Sequence, residues 1–99
     1  ALLEYVTKLA EASRSHPLVV LGVSPRGALA VCRMAKAYAY LNGRDFVIPE
    51  DVAAVFPDVC VHRLILNSKA RLQDYTAALI LQNVLTSVQK PDVREFSSK

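Results

Sequence analysis

Residues 22–52 read GVSPRGALAVCRMAKAYAYLNGRDFVIPEDV, a stretch with two helix starts and one helix end. Ser24 is an N-cap residue, because its hydroxyl can accept from a free backbone N–H of the first turn. Pro25 follows at the first helical position, where a missing N–H costs nothing. Helix formers run on to Asn42, and Gly43 can adopt the left-handed conformation that stops a helix. Arg44 to Ile48 then leads into Pro49-Glu50-Asp51-Val52, a second start. Glu50 and Asp51 complement the positive end of that helix dipole. Asp51 can also reach back to a free N–H, as in a capping box. Ile48, at the cap position, has no oxygen to offer.

The helix of residues 25–42 is apolar almost all round, the pattern of a central helix. At about 100° per residue, Ala28, Val31, Cys32, Ala35 and Ala39 form one face of small residues that admits a close neighbour. Arg26, Arg33 and Lys36 share the opposite side, with Leu29, Ala30, Ala37 and Tyr40 between them.

Working outward, residues 1 to about 13 form a first helix, with Leu2, Leu3, Val6, Leu9 and Ala10 at helical spacing. His16-Pro17 ends it, since a residue before proline is pushed out of the helical region. Leu18 to Leu21 is a short apolar run, read as a buried connection. Pro57 breaks the third helix, and Asp58 to His62 forms a short turn. Leu64-Ile65-Leu66 is apolar and extended. A last helix runs from about Lys69 to Val88, with Leu81, Val84, Leu85 and Val88 as its stripe, and Lys90-Pro91 ends it. Residues 92–99 read as a frayed polar tail. The expected fold is all-α: one domain over residues 1–99, a small bundle of about four main helices with short extended connections.

Composition narrows the function. Hydrophobic content is 53% and charged content 21%, which argues against disorder. No apolar run approaches the roughly 20 residues that span a bilayer, so no membrane partner is expected. Net charge is +3, with basic residues spread among nine acids, an ordinary solvated surface rather than a nucleic-acid footprint. Cys32 and Cys60 show no CxxC spacing and read as buried free thiols in a reducing compartment, hence a cytoplasmic location. The chain starts without Met and without a signal-peptide core, so a fragment or processed chain is expected.

Gly22 to Gly27 has the spacing GxxxxG, but Ala28 and Leu29 stand where a phosphate-binding loop needs Lys and then Ser or Thr. The chain is therefore not catalytic alone by that route. For metals, Cys60 and His62 are close in sequence but have no second pair. Capping explains Ser24, and no base is placed to activate it. His62 reads as a packing histidine with one hydrogen bond, and Arg63 as a partner of Asp58 or Glu50. Arg26 is the residue with a mechanism. Its permanent charge and planar fork of donors suit phosphate oxygens, and a cation at this end of a helix opposes the dipole.

Gly22-Val23-Ser24-Pro25-Arg26, the Ala-rich helix, Gly43-Arg44-Asp45, Pro49-Glu50-Asp51-Val52 and His62-Arg63, in this order and spacing, resemble the C-terminal lid of MoxR-family AAA+ ATPases. The match covers most of the chain, more weakly before Gly22 and after Leu66. The resemblance implies that Arg26 is the sensor-2 residue, an electrostatic catalytic group once the core domain is present. It implies that Ser24, Pro25 and Arg26 face the nucleotide. An upstream core domain with Walker A, Walker B and a catalytic glutamate would bind ATP and Mg. It further implies ring homo-oligomers, chaperone-like assembly or activation of client proteins, and partners with von Willebrand A domains. Family members commonly carry Thr or Ser where Ile48 stands. The alternative is a stand-alone helical interaction module that binds nucleic acid through Arg26, Arg33 and Lys36. Gln73, Gln82 and Asn83 share no face with basic residues, which weighs against a DNA-reading helix.

Overall fold

The structure, a computed structural model, describes residues 2–91. The predicted tail at 92–99 lies outside the described residues. Five helices and two short strands follow one another: α1 Leu2–Ser15, β1 Val19–Leu21, α2 Pro25–Leu41, α3 Pro49–Cys60, β2 Ile65–Leu66, α4 Ser68–Leu72 and α5 Ala77–Ser87. The class is all-α, as the sequence predicts.

The four longer helices close a ring. α1 packs on α2, α2 on α3, α3 on α5, and α5 back on α1. Val6, Leu9, Val31, Val52, Phe56 and Leu81 fill the space between them. Full burial of a side chain such as Phe56 contributes about 1.5–3 kcal/mol. The small-residue face of α2 (Ala28, Val31, Cys32, Ala35 and Ala39) points into this core as expected. Gly43 ends the helix with φ 81°.

α2 packs against both α1 and α3, yet several of its apolar residues stay exposed on its outer side. Met34 is 49%, Tyr40 77% and Leu41 82% exposed. On α1 the buried stripe is Tyr5, Val6, Leu9, Ala10 and Ser13. Leu3 falls at its margin in the first turn and stays exposed.

Three local expectations fail for identifiable reasons. Leu18 to Leu21 is not a buried connection. Leu18 is buried, but Val19 pairs with Leu66 and Leu21 with Ile65 in an irregular antiparallel ribbon, and Val20 and Leu21 are exposed. The partner strand lies far along the chain, so local sequence does not announce it. Asn67 seals the ribbon: its backbone N–H donates to the Leu18 carbonyl (3.0 Å) and its Nδ2 to the Pro17 carbonyl (2.8 Å).

Pro57 lies inside α3 and does not end it. The Val61 N–H donates to the Pro57 carbonyl at 2.9 Å, so a further turn forms. Phe56 and Cys60, both fully buried, anchor that turn in the core against a proline cost of about 3 kcal/mol.

The predicted last helix is two helices. The Asn67 side chain caps α4 by accepting from Ala70 N–H (2.9 Å). Asp74 takes φ 59°, a left-handed value that Asp tolerates better than most residues, and the Tyr75 N–H returns to the Ala70 carbonyl (2.9 Å). Thr76 then caps α5 through Leu79 N–H (3.2 Å). Ala70, Ile80 and Leu18 form a second small cluster that holds the ribbon against α4 and α5.

Candidate functional site

The start of α2 is built by three elements. Ser24 caps it, with Oγ accepting from Gly27 N–H at 3.1 Å and its carbonyl accepting from Ala28 N–H at 2.9 Å. Pro25 has no N–H. The Arg26 amide is thus the first-turn donor left without a partner among the described residues.

α1 holds the approach to this turn. The Val23 N–H donates to Ser13 Oγ (2.9 Å), and the Val23 carbonyl accepts from Arg14 Nη1 (2.6 Å). Ser13 is fully buried and donates in turn to the Ala10 carbonyl (2.6 Å). α3 closes the other side. Arg63, just past its end, donates from Nε to the Val59 carbonyl (3.1 Å). The Arg63 Cδ lies 3.4 Å from where a Cβ on Gly27 would stand.

Arg26 itself is exposed and makes no hydrogen bond or ion pair among the described residues. The first turn of α2 carries no acidic residue. A free guanidinium, a free amide and no competing carboxylate form a donor set that fits a phosphate group. Ser24 offers only its hydroxyl proton, since its oxygen serves the cap, and Pro25 offers a preset backbone rather than a donor. Arg33 and Lys36 are exposed further along the helix, on the same side as the exposed apolar residues Leu29 and Tyr40.

Two predicted roles are corrected. His62 is exposed, not packed. Arg63 pairs with neither Asp58 nor Glu50 and bonds its own chain at Val59 instead, because it extends along the end of α3 toward α2.

Sequence reasoning missed the Ser13–Val23–Arg14 clamp, for which no local signal exists. It also missed the ion pair that ties the α2–α3 connection. Arg44 Nη1 and Nη2 lie 2.6 and 2.7 Å from the two oxygens of Asp51. Asp51 Oδ2 also accepts from the Ile48 N–H (2.8 Å), the half of the capping box that the sequence does predict. The Arg44 hydrogen bonds hold the Asp51 carboxyl below its ordinary range, with the Ile48 amide adding to them and burial opposing. Both cysteines are free and buried. Burial pushes the Cys60 thiol up to about 11 and raises Cys32 as well, which marks them as unreactive thiols. Among the described residues no group of three or more His, Cys, Asp or Glu could hold a metal ion, and no helix is long and apolar enough to cross a membrane.

Residues 11–84 match the family of AAA lid domains. The chain is 39% identical over 88 residues to the uncharacterized protein YeaC of Bacillus subtilis, covering 89% of this chain and 28% of YeaC. It is 35% identical over 102 residues to the chaperone MoxR1 of Mycobacterium tuberculosis, covering 94% of this chain and 27% of MoxR1. The crystal structure of an ATPase candidate from Cytophaga hutchinsonii superposes with a TM-score of 0.83 at 31% identity, covering 92% of this chain and 30% of that one. The chain belongs to the AAA lid domain family, among the lids of MoxR-type AAA+ ATPases. It spans less than a third of the length of each of these relatives.

Proposed function

We propose that residues 1–99 are the nucleotide-facing lid of a larger MoxR-type ATPase and that Arg26 is its sensor-2 residue. The observation that carries this reading is Arg26 itself: exposed, unpaired among the described residues, and mounted on a turn fixed by the Ser24 cap and the α1 clamp on Val23.

A core domain of the same longer chain holds ATP and Mg, which supply the phosphoryl group and its charge neutralisation. Closure of the lid brings the Arg26 guanidinium to the γ-phosphate. A positive fork placed there stabilises charge that develops during transfer. After hydrolysis the contact is lost and the lid is free to relax. Arg26 acts as a stabiliser and sensor, not as a base or nucleophile. Ser24 and Pro25 fix the turn that carries it.

The apolar residues that α2 leaves exposed, Leu29, Met34, Tyr40 and Leu41, support a covered position in the whole protein, since exposed apolar surface marks an interaction site. The core domain and a neighbouring subunit of a ring homo-oligomer are the proposed cover. Work on client proteins, von Willebrand A domain partners among them, is proposed from the likeness to MoxR1, a named chaperone. The two buried free thiols support a reducing, cytoplasmic setting.

The test is Arg26→Ala in the full ATPase. ATP turnover falls about 10-fold or more if the contact contributes about 1.4 kcal/mol to the transition state. ATP affinity falls more than ADP affinity. Arg33→Ala, further along the same face, changes less. Turnover like wild type in both variants overturns the reading.

A further inference from the structure

We infer that Arg63 is a second arginine for the phosphate group that Arg26 meets. The inference rests on the lid reading and names a further residue of the same site.

Its basis is how the α2–α3 hairpin folds back. α2 runs from Pro25 to Leu41, and α3 returns from Pro49 to Cys60, so the end of α3 arrives beside the start of α2. The residues just past α3 therefore meet the first turn of α2. Arg63 does so with its stem, whose Cδ lies beside Gly27, the residue next to Arg26.

The charges there are not neutralised. Arg14 reaches the same turn through the Val23 carbonyl. Arg26 is free. Arg63 uses Nε on the Val59 carbonyl, and its two terminal nitrogens have no partner among the described residues. The ion pair present among the described residues is Arg44–Asp51, in the connection at the opposite end of the hairpin. Arg14 and Arg63 thus reach the segment of residues 23–27 that carries Arg26, with no ion-paired carboxylate there among the described residues. Positive charge so placed favours a polyanion beside it. Arg14 is committed to the backbone, which leaves the forks of Arg26 and Arg63 for phosphate oxygens.

Arg63 also has a structural task, since its bond to Val59 satisfies a carbonyl at the end of α3. A fork can do both tasks at once, with Nε on the carbonyl and the terminal nitrogens on the ligand. A lysine keeps the stem and the charge but not this division of donors.

The experiment uses the full ATPase with Arg63→Ala, Arg63→Lys and Arg26→Ala. Equilibrium binding of ATPγS and of ADP, each with Mg, is measured beside turnover and the melting temperature of the nucleotide-free protein. Arg63→Ala is expected to weaken ATPγS about 10-fold, the equivalent of about 1.4 kcal/mol, and ADP clearly less. Arg63→Lys is expected to melt within a degree or two of wild type and still lose part of the ATPγS preference. If Arg26→Ala is selective for ATPγS while both Arg63 variants weaken the two nucleotides equally or not at all, Arg63 only caps α3; the lid reading then stands and this inference falls. If no variant at either arginine is selective for ATPγS, both fall together.

Discussion

Arg44 and Asp51 meet through two parallel hydrogen bonds of 2.6 and 2.7 Å, with Asp51 almost fully buried. Asp51 also accepts from the Ile48 amide. One carboxylate thus closes the α2–α3 connection and caps α3, whose own cap residue, Ile48, has no side-chain acceptor.

Stability should therefore depend on the charge of Asp51. Its folded pKa is lowered from 3.8, chiefly by the Arg44 hydrogen bonds. A lowered carboxylate pKa stabilises the fold fully above the unfolded value, and this is lost as pH falls through the folded value. Melts of the chain should show a loss below about pH 4. In Asp51→Asn that acid-dependent part should be smaller, and the neutral-pH stability lower by about 1–3 kcal/mol. Identical pH slopes in the two proteins would show that Asp51 is not the group responsible.

Ser13→Ala removes the acceptor of the Val23 N–H without filling its place. A buried donor left unsatisfied costs about 1–3 kcal/mol. Urea unfolding should report that loss, and hydrogen exchange at the Val23 amide should quicken more than at the core of α3. Unchanged exchange at Val23 would mean that the clamp does not hold the turn.

Gly22→Ala would place a Cβ 2.7 Å from the Arg14 backbone nitrogen. Backbone cannot yield as a side-chain tip can, so α1 and the β1–α2 connection must separate. Overpacking of this kind costs about 1–3 kcal/mol, and a thermal melt should show it. A variant as stable as wild type would place Gly22 farther from α1 than described.

Pro57→Ala restores an N–H in α3 that can bond the Ala53 carbonyl, and it replaces the poorest helix former with the best. Stabilisation of about 1–3 kcal/mol is expected, at or below the full propensity difference of about 3 kcal/mol. A lower unfolding midpoint in urea would show instead that the proline ring, which is half-buried, packs better than the helix gains.

Helix starts and stops were legible because they are local. Ser24, Pro25 and Gly43 act within a few residues, and the structure places the bounds of α2 where they point. The small-residue face of α2 was legible from its period alone. The break between α4 and α5 had a readable signal too, Thr76 as a cap ahead of Ala77-Ala78-Leu79, but the apolar stripe beyond it suggested one continuous helix. At the start of α2, Arg26 could be singled out because its residue type and position carry a chemistry.

The neighbours of Arg26 could not be read in the same way. Ser13 and Arg14 reach Val23 from another helix, and Arg63 reaches Gly27 from the far end of a hairpin. The strand pairing of Val19 with Leu66 joins residues remote in sequence, and α3 continues past Pro57 because Phe56 and Cys60 are buried. The sequence by itself determined the helical class and the α2 start, since caps and period act over one or two turns. Only the tertiary structure decided which side chains reach that start, which strand pairs and which apolar residues stay exposed, because those depend on burial and contacts between segments that local sequence cannot place together.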